Sequence, residues 1–145
     1  MERGFKKEIP QETDYYMKRY LLDTSIVIKY LKGTPEVVEL IDSLEGEVFS
    51  SYLVLAELYE GIFRSKNEVE QKILEYFSTF DLVFGLDETI SKEFGKIRAE
   101  LKQKGTIIED IDILVAATCL ANDLTLVTLN KKHFERIKGL KISTI

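Results

Sequence analysis

The strongest constraint in this sequence is an alternation: short apolar runs of strand length recur between segments whose apolar residues fall at helical spacing. Tyr20-Leu21-Leu22 stops at Asp23 and reads as a buried strand ended by a polar residue. Ile26, Val27, Tyr30 and Leu31 then follow helical spacing. Val37, Leu40, Ile41 and Leu44 repeat at i, i+3, i+4 and i+7, a helix entered at Pro35 and left near Gly46. Val48-Phe49 predicts a brief strand. Leu55, Leu58, Tyr59, Ile62 and Phe63 predict a helix with one apolar stripe, and Val69, Ile73, Phe77 and Phe80 predict another. Leu82-Val83-Phe84 reads as strand. Asp87 is placed to cap a helix carrying Ile90, Phe94, Ile97 and Leu101, which Gly105 closes. Ile113, Ala116, Ala117 and Leu120 mark a further helix, Leu124 to Val127 a strand, and Leu140 to Ile142 a terminal strand. Strands alternating with helices predict an α/β fold of Rossmann-like type, a mostly parallel sheet flanked by helices on both faces. Right-handed crossovers then set the C-terminal ends of the strands along one edge, where sites in such folds are built.

A chain of 145 residues, 45% hydrophobic, is sized for a single domain with a real core. Residues 1–16, with Pro10, mixed charges and no periodicity, read as an N-terminal appendage, leaving 17–145 as the domain. No apolar run approaches the roughly 20 residues a membrane span needs. The first 20 residues are charged throughout, unlike a secretory signal. The lone Cys119 makes no internal disulfide, which fits a reducing cytoplasm. A net charge of −5 argues against simple electrostatic coating of nucleic acid. The sign is uneven, however: Lys131, Lys132, Arg136, Lys138 and Lys141 stand together against one acid, Glu135. Such a run is ordinarily a solvated face, and it gains meaning only beside a site that must hold a polyanion.

Four acids fall at telling places. Asp23 follows the first strand directly; Asp110 and Asp112 open the helix of Ala116 and Ala117; Glu57 lies inside the third helix, pointing away from the Leu55/Leu58/Ile62 stripe. Singly, each has an ordinary explanation: a helix cap for Asp23, a favourable charge at a helix N-terminus for Asp112, a solvated face for Glu57. No P-loop, Gly-rich dinucleotide turn or Ser/His/Asp grouping offers another route to chemistry.

Taken together, LLDTSIVIKYL (21–31), SSYLVLAELYEGI (50–62) and IEDIDILVAATCLANDLTLVTLNKKHFERI (108–137) resemble the PIN domain, and within it the VapC-like toxins of toxin–antitoxin pairs. The resemblance runs from about Lys18 to the C-terminus. It implies an endonuclease for single-stranded RNA, with acids from distant segments converging on one or two divalent ions. Asp23 matches the first motif acid, Glu57 the second and Asp112 the third. Thr24 and Ser25 flank the first acid; Thr128 and Asn130 match the last motif, whose small polar residues line the site. Two departures stand out: Ser25 replaces a more usual Asn, and His133 occupies a place where the family often carries a fourth acid. Asp110 is a nearby acid able to supply that charge. The same resemblance implies a small antitoxin partner and a two-fold homodimer; by sequence alone the aromatics of the middle segment, Tyr52, Tyr59, Phe63 and Tyr76, read slightly better as core packing than as its interface.

Clustered carboxylates repel and would in part protonate unless a cation offset them. Hard oxygen donors suit Mg²⁺ or Mn²⁺ rather than zinc, which favours the His and Cys scarce here. Lys131, Lys132 and Arg136, just past V-T-L-N, would then hold the phosphates of an RNA. Two rival readings stand beside this one. An aspartyl phosphatase generally needs Asp-x-Asp, and Ser25 fills that second position. A non-catalytic scaffold binding RNA or protein would have no need of Asp23, Glu57 and Asp112 together.

Overall fold

Five strands and seven helices alternate through residues 17–145, the part of the chain that the computed structural model of the protein describes. The expected appendage, residues 1–16, lies outside the described residues. In chain order the elements are β1 (Lys18–Leu22), α1 (Thr24–Leu31), α2 (Pro35–Asp42), β2 (Gly46–Ser51), α3 (Tyr52–Ser65), α4 (Glu70–Phe77), β3 (Val83–Phe84), α5 (Glu88–Lys104), α6 (Asp110–Asn122), β4 (Thr125–Val127), α7 (Lys131–Phe134) and β5 (Ile142–Ser143). The strands form one sheet in the order β3-β2-β1-β4-β5, and every pairing in it is parallel.

β1 lies at the centre, with Tyr20 opposite Val48 on one side and Leu21 opposite Leu126 on the other. Successive strand residues point to opposite faces. Leu21 and Leu22 are both fully buried, as are Leu126 and Val127, so both faces of the sheet are covered. The first residues of β1 and β2 approach closely: Gly46 pairs with Lys18, and a Cβ at Gly46 would collide with the Lys18 carbonyl.

Helix ends follow local chemistry. Asp87 accepts from the Ile90 N–H at 2.9 Å to start α5, and Gly105, in the left-handed region at φ 68°, ends it. α6 departs from the expected amphipathic stripe, because Ile113 and the whole run Val115 to Cys119 are buried. A helix apolar around most of its circumference belongs inside, and α6 packs between α5 and the sheet. α3 also departs. Its buried stripe is Val54, Leu58 and Ile62, which leaves Phe63 74% and Tyr52 60% exposed. Tyr59 stacks on Phe63, whereas Tyr76 stacks within the chain on Tyr30, with ring centroids 4.8 Å apart. No helix among the described residues is long and apolar enough to cross a membrane.

Candidate active site

A wholly parallel sheet puts every strand's C-terminal end on one edge, and the chain delivers polar residues there. Asp23 follows β1, Thr128 follows β4, and α3 begins directly where β2 ends. The Asp23 N–H donates to the Val127 carbonyl at 3.2 Å, tying the two central strands together at that point. Buried Ser50 donates to the Leu22 carbonyl at 3.0 Å, so the adjoining backbone is satisfied.

Asp23 is buried and held from three directions. Its Oδ1 accepts from the Ile26 N–H at 3.2 Å, which caps α1, and from Ser25 Oγ at 2.7 Å. Its Oδ2 accepts a short bond from Thr128 Oγ1. Ser25 Oγ in turn accepts from the Leu129 N–H, and Thr128 Oγ1 from the Asn130 N–H at 2.9 Å. Two hydroxyls thus lock the first and last segments around one carboxylate. Three of the roughly four lone-pair directions on that carboxylate are used, leaving one for anything else. Asn130 contributes its backbone; its side chain makes no cap bond to α7.

Glu57 and Asp112 approach from two other helices. Thr24 Oγ1 donates to Glu57 Oε1 at 2.5 Å, linking α1 to α3. The α3 face that carries Glu57 is half-buried, at the margin of the stripe rather than opposite it. Asp112, in the first turn of α6, has Oδ2 3.3 Å from His133 Nδ1 on α7.

All three acids sit above their ordinary range, mainly for one reason. Burial pushes the Asp23 carboxyl up; its hydroxyl and N–H bonds oppose the rise, and the Asp112 charge adds to it. Burial likewise raises Glu57, opposed by Thr24 and reinforced by the charges of Asp112, Asp23 and Glu109. Burial raises Asp112, with His133 opposing and Glu109 reinforcing. The Asp112 charge therefore reaches both Asp23 and Glu57 from a distant part of the sequence, and each acid is costly to ionise as it stands.

Asp110 does not join them. Its Oδ1 accepts from Arg98 Nε at 2.9 Å, in an ion pair on the exposed flank between α5 and α6. Residues two apart on a helix do not share a face, so Asp110 points away from Asp112. The expectation that Asp110 completes the set is corrected on this ground. Glu109, three residues before Asp112, is the acid whose charge reaches both Glu57 and Asp112.

The basic run also divides. Lys131 and Lys132 are exposed on α7, the short helix that carries His133 to Asp112. Arg136 lies beyond them and reaches the Thr106 carbonyl at 3.4 Å. Lys141 pairs with Asp123 at 2.8 Å, where β4 and β5 begin, at the opposite edge of the sheet.

A divalent ion fits this donor set in one respect. Carboxylates and hydroxyls are hard oxygen donors, and burial leaves the carboxylates in need of positive charge. Among the described residues no three His, Cys, Asp or Glu side chains converge tightly enough to enclose an ion. Mg²⁺ keeps several waters and binds through one or two carboxylates, so it does not require a full protein cage.

Comparison with known proteins agrees with this architecture. The family model described as PIN domain matches residues 20–140. Ribonuclease VapC1 of Methanocaldococcus jannaschii is 35% identical over 138 residues, covering 94% of this chain and 95% of its own. A tRNA(fMet)-specific endonuclease VapC of Shigella flexneri is 32% identical, covering 86% of this chain and 96% of its own. Among solved structures, VapBC2 from Rickettsia felis, bound to a DNA fragment from its promoter, superposes with a TM-score of 0.79 at 32% identity. That match covers 88% of this chain and 98% of the other. With a domain model spanning most of its length and full-length relatives of this kind, the chain belongs to the PIN-domain family, in its VapC ribonuclease branch.

Proposed function

We propose that this ribonuclease is a divalent-metal-dependent endonuclease for single-stranded RNA, acting in the cytoplasm as the toxin of a toxin–antitoxin pair. The observation that carries this reading is the approach of Asp23, Glu57 and Asp112 to one another, each raised by burial and the first two also by the charge of Asp112. These three would hold Mg²⁺ or Mn²⁺, one or two of them directly and the rest through water that the ion retains. A bound ion of this kind supplies a more acidic water and offsets charge building on the phosphate oxygens.

The residues around the acids are suited to orientation. Thr128 and Ser25 fix both Asp23 oxygens, and Thr24 fixes Glu57. His133 braces Asp112 from α7, and the same helix sets Lys131 and Lys132 where they could take the flanking phosphates of an RNA. Arg136, turned towards the loop before α6, is the weaker candidate for that task. Solved relatives are complexes of a toxin with its antitoxin, which supports a small antitoxin as partner here. The aromatic residues left exposed on α3, Tyr52 and Phe63, favour a two-fold homodimer over a monomer.

Purified protein should cleave single-stranded RNA internally with Mg²⁺ or Mn²⁺, and EDTA should stop it. Intact RNA after incubation with either ion would reject the enzymatic reading in favour of a binding scaffold. Light scattering at micromolar concentration tests the dimer, and a monomer would reject it.

A further inference from the structure

Helix α7 is four residues long, yet it meets the site twice. At its entry the Asn130 N–H donates to Thr128 Oγ1 at 2.9 Å, and that hydroxyl donates to Asp23 Oδ2. Near its end His133 Nδ1 lies 3.3 Å from Asp112 Oδ2. The next residue, Phe134, is buried in the core and anchors the helix. The two acids are not equally secured. Asp23 accepts from three donors, whereas His133 is the one hydrogen-bond partner of the Asp112 carboxylate among the described residues. An ionised carboxylate only accepts, so a neutral His133 ring must carry its hydrogen on Nδ1 to make this bond. A free imidazole side chain prefers its hydrogen on Nε2.

From this arrangement we infer that His133 is a positioning residue, holding Asp112 to the helix whose entry holds Asp23, so that α7 sets where the two acids stand relative to each other. The inference rests on the metal-dependent reading above. It gives a task to the histidine that stands where the family resemblance leads one to expect an acid: His133 serves the ion through Asp112 and is not itself a ligand. Outer partners of this kind fix the direction of a ligand without touching the metal. At 3.3 Å the bond is long for N–H···O, so its effect falls on the direction of the carboxylate more than on the stability of the fold.

His133 is the chain's one histidine, so its ring can be observed alone. At pH 8 an ordinary imidazole is neutral. A long-range ¹H–¹⁵N correlation spectrum of the metal-free full-length protein at that pH should show the Nδ1–H tautomer, and Asp112→Ala should return the ring to the Nε2–H form. The Nε2–H form in the unaltered protein would overturn the inference whatever the metal does. Mn²⁺ titration followed by electron paramagnetic resonance then reads the consequence. His133→Ala should weaken Mn²⁺ binding by about tenfold, the low end of what loss of an outer partner costs a metal site. An Asn side chain carries its amide nitrogen as many bonds from Cβ as Nδ1, and a Gln side chain as many as Nε2. His133→Asn should therefore stay within about twofold of the unaltered protein, while His133→Gln should weaken binding as Ala does. The ring is half-exposed, and thermal melts in EDTA should be alike for all of these position-133 variants. Unchanged binding in His133→Ala, or rescue by Gln in place of Asn, would overturn the positioning role while leaving the metal site standing. Absence of Mn²⁺ binding by the unaltered protein would overturn the metal-dependent reading and this inference with it.

Discussion

The two edges of the sheet treat acids in opposite ways. At the N-terminal edge two acids have counter-charges: Arg19 lies 3.4 Å from Glu47 and also donates to the Asn122 carbonyl, and Lys141 pairs with Asp123. The Lys141 bond and charge hold the Asp123 carboxyl below its ordinary value. At the C-terminal edge Asp23, Glu57 and Asp112 are raised instead, and the groups bonded to Asp23 and Glu57 are hydroxyls and backbone N–H, not cations. One edge is electrostatically closed and the other left short of positive charge. An edge assembled only for stability would resemble the first; acids raised by burial beside the C-terminal ends of the strands support the active site proposed above.

The largest effect that could break this comparison is on cleavage. Asp112→Asn should lower the rate of RNA cleavage by at least about a hundredfold, the upper end for groups merely supporting a metal site. Asp123→Asn, an equal loss of charge at the other edge, should leave the rate within about twofold. A matched loss in both would mean that the total charge of the molecule, and not the C-terminal edge, governs activity. Circular dichroism of Asp112→Asn should match the unaltered protein, since the residue packs little apolar surface.

The next effect concerns how an acidic protein holds a polyanion. Lys131 and Lys132 lie on the helix that reaches Asp112, whereas Lys141 sits at the closed edge with Asp123. In an inactive Asp112→Asn background, replacing Lys131 and Lys132 by Gln should flatten the log–log salt dependence of RNA binding by roughly 1.4, at about 0.7 per phosphate contact. Affinity should fall alike for all sequences, because phosphate contacts carry no base information. Lys141→Gln should leave the slope unchanged. An unaltered slope in the double variant would move the RNA track to other cations, with exposed Lys29 on α1 and Lys32 at its C-terminal cap the first to test.

These contrasts also mark what was legible in the sequence. α5 could be read nearly to the residue, because Asp87, Gly105 and the spacing of Ile90, Ile97 and Leu101 are local signals that act over single turns. Leu21-Leu22 and Leu126-Val127 were legible as strands because both of their faces are buried. The orientation of α3 was not. Its sequence carries apolar residues on two faces, Val54/Leu58/Ile62 and Tyr52/Tyr59/Phe63, and only packing against the rest of the fold selects the first. α7, four residues long, is too short to show a period. At the site, the motif acids stood out by their places after β1, within α3 and at the start of α6. The outward turn of Asp110 depended on Arg98, a partner twelve residues back on another helix. The basic run looked continuous in sequence, but α7 and the turn before β5 carry its ends to opposite edges.

A smaller effect lies in stability without metal. Because burial raises the Asp23 carboxyl in the fold, the native state keeps its proton at pH values where the unfolded chain has lost it. Stability therefore falls as pH rises above the unfolded value of 3.8 and through the raised native one. Asp23→Asn removes that penalty and keeps an oxygen for capping α1. In EDTA at pH 8 the variant should melt several degrees above the unaltered protein, and the gap should narrow towards pH 4. Excess Mg²⁺ should reverse the order, since only the unaltered protein gains from the ion. A metal-free gap that stays constant from pH 8 to pH 4 would show that ionised Asp23 imposes no cost.

The smallest effect is the counterpart at the closed edge, and its sign is opposite. Asp123 is the C-cap of α6 with φ 54°, a left-handed conformation that Asn and Gly adopt readily and Ala does not. Asp123→Asn therefore removes the charge without adding backbone strain, whereas Asp123→Ala would confound the two. With its pKa lowered by Lys141, Asp123 contributes stability above the unfolded carboxylate range and loses it as pH falls below that range. The pair is largely exposed, so water and salt screen most of its attraction. Asp123→Asn should thus lower the melting temperature at pH 7 by no more than about 2 °C, and the difference should vanish near pH 2 and shrink in 1 M salt. The same Asp-to-Asn change then stabilises the metal-free protein at one edge and slightly destabilises it at the other. If Asp123→Asn instead raised the melting temperature as Asp23→Asn does, the two edges would not differ in kind, and the excess negative charge of the whole chain would account for both.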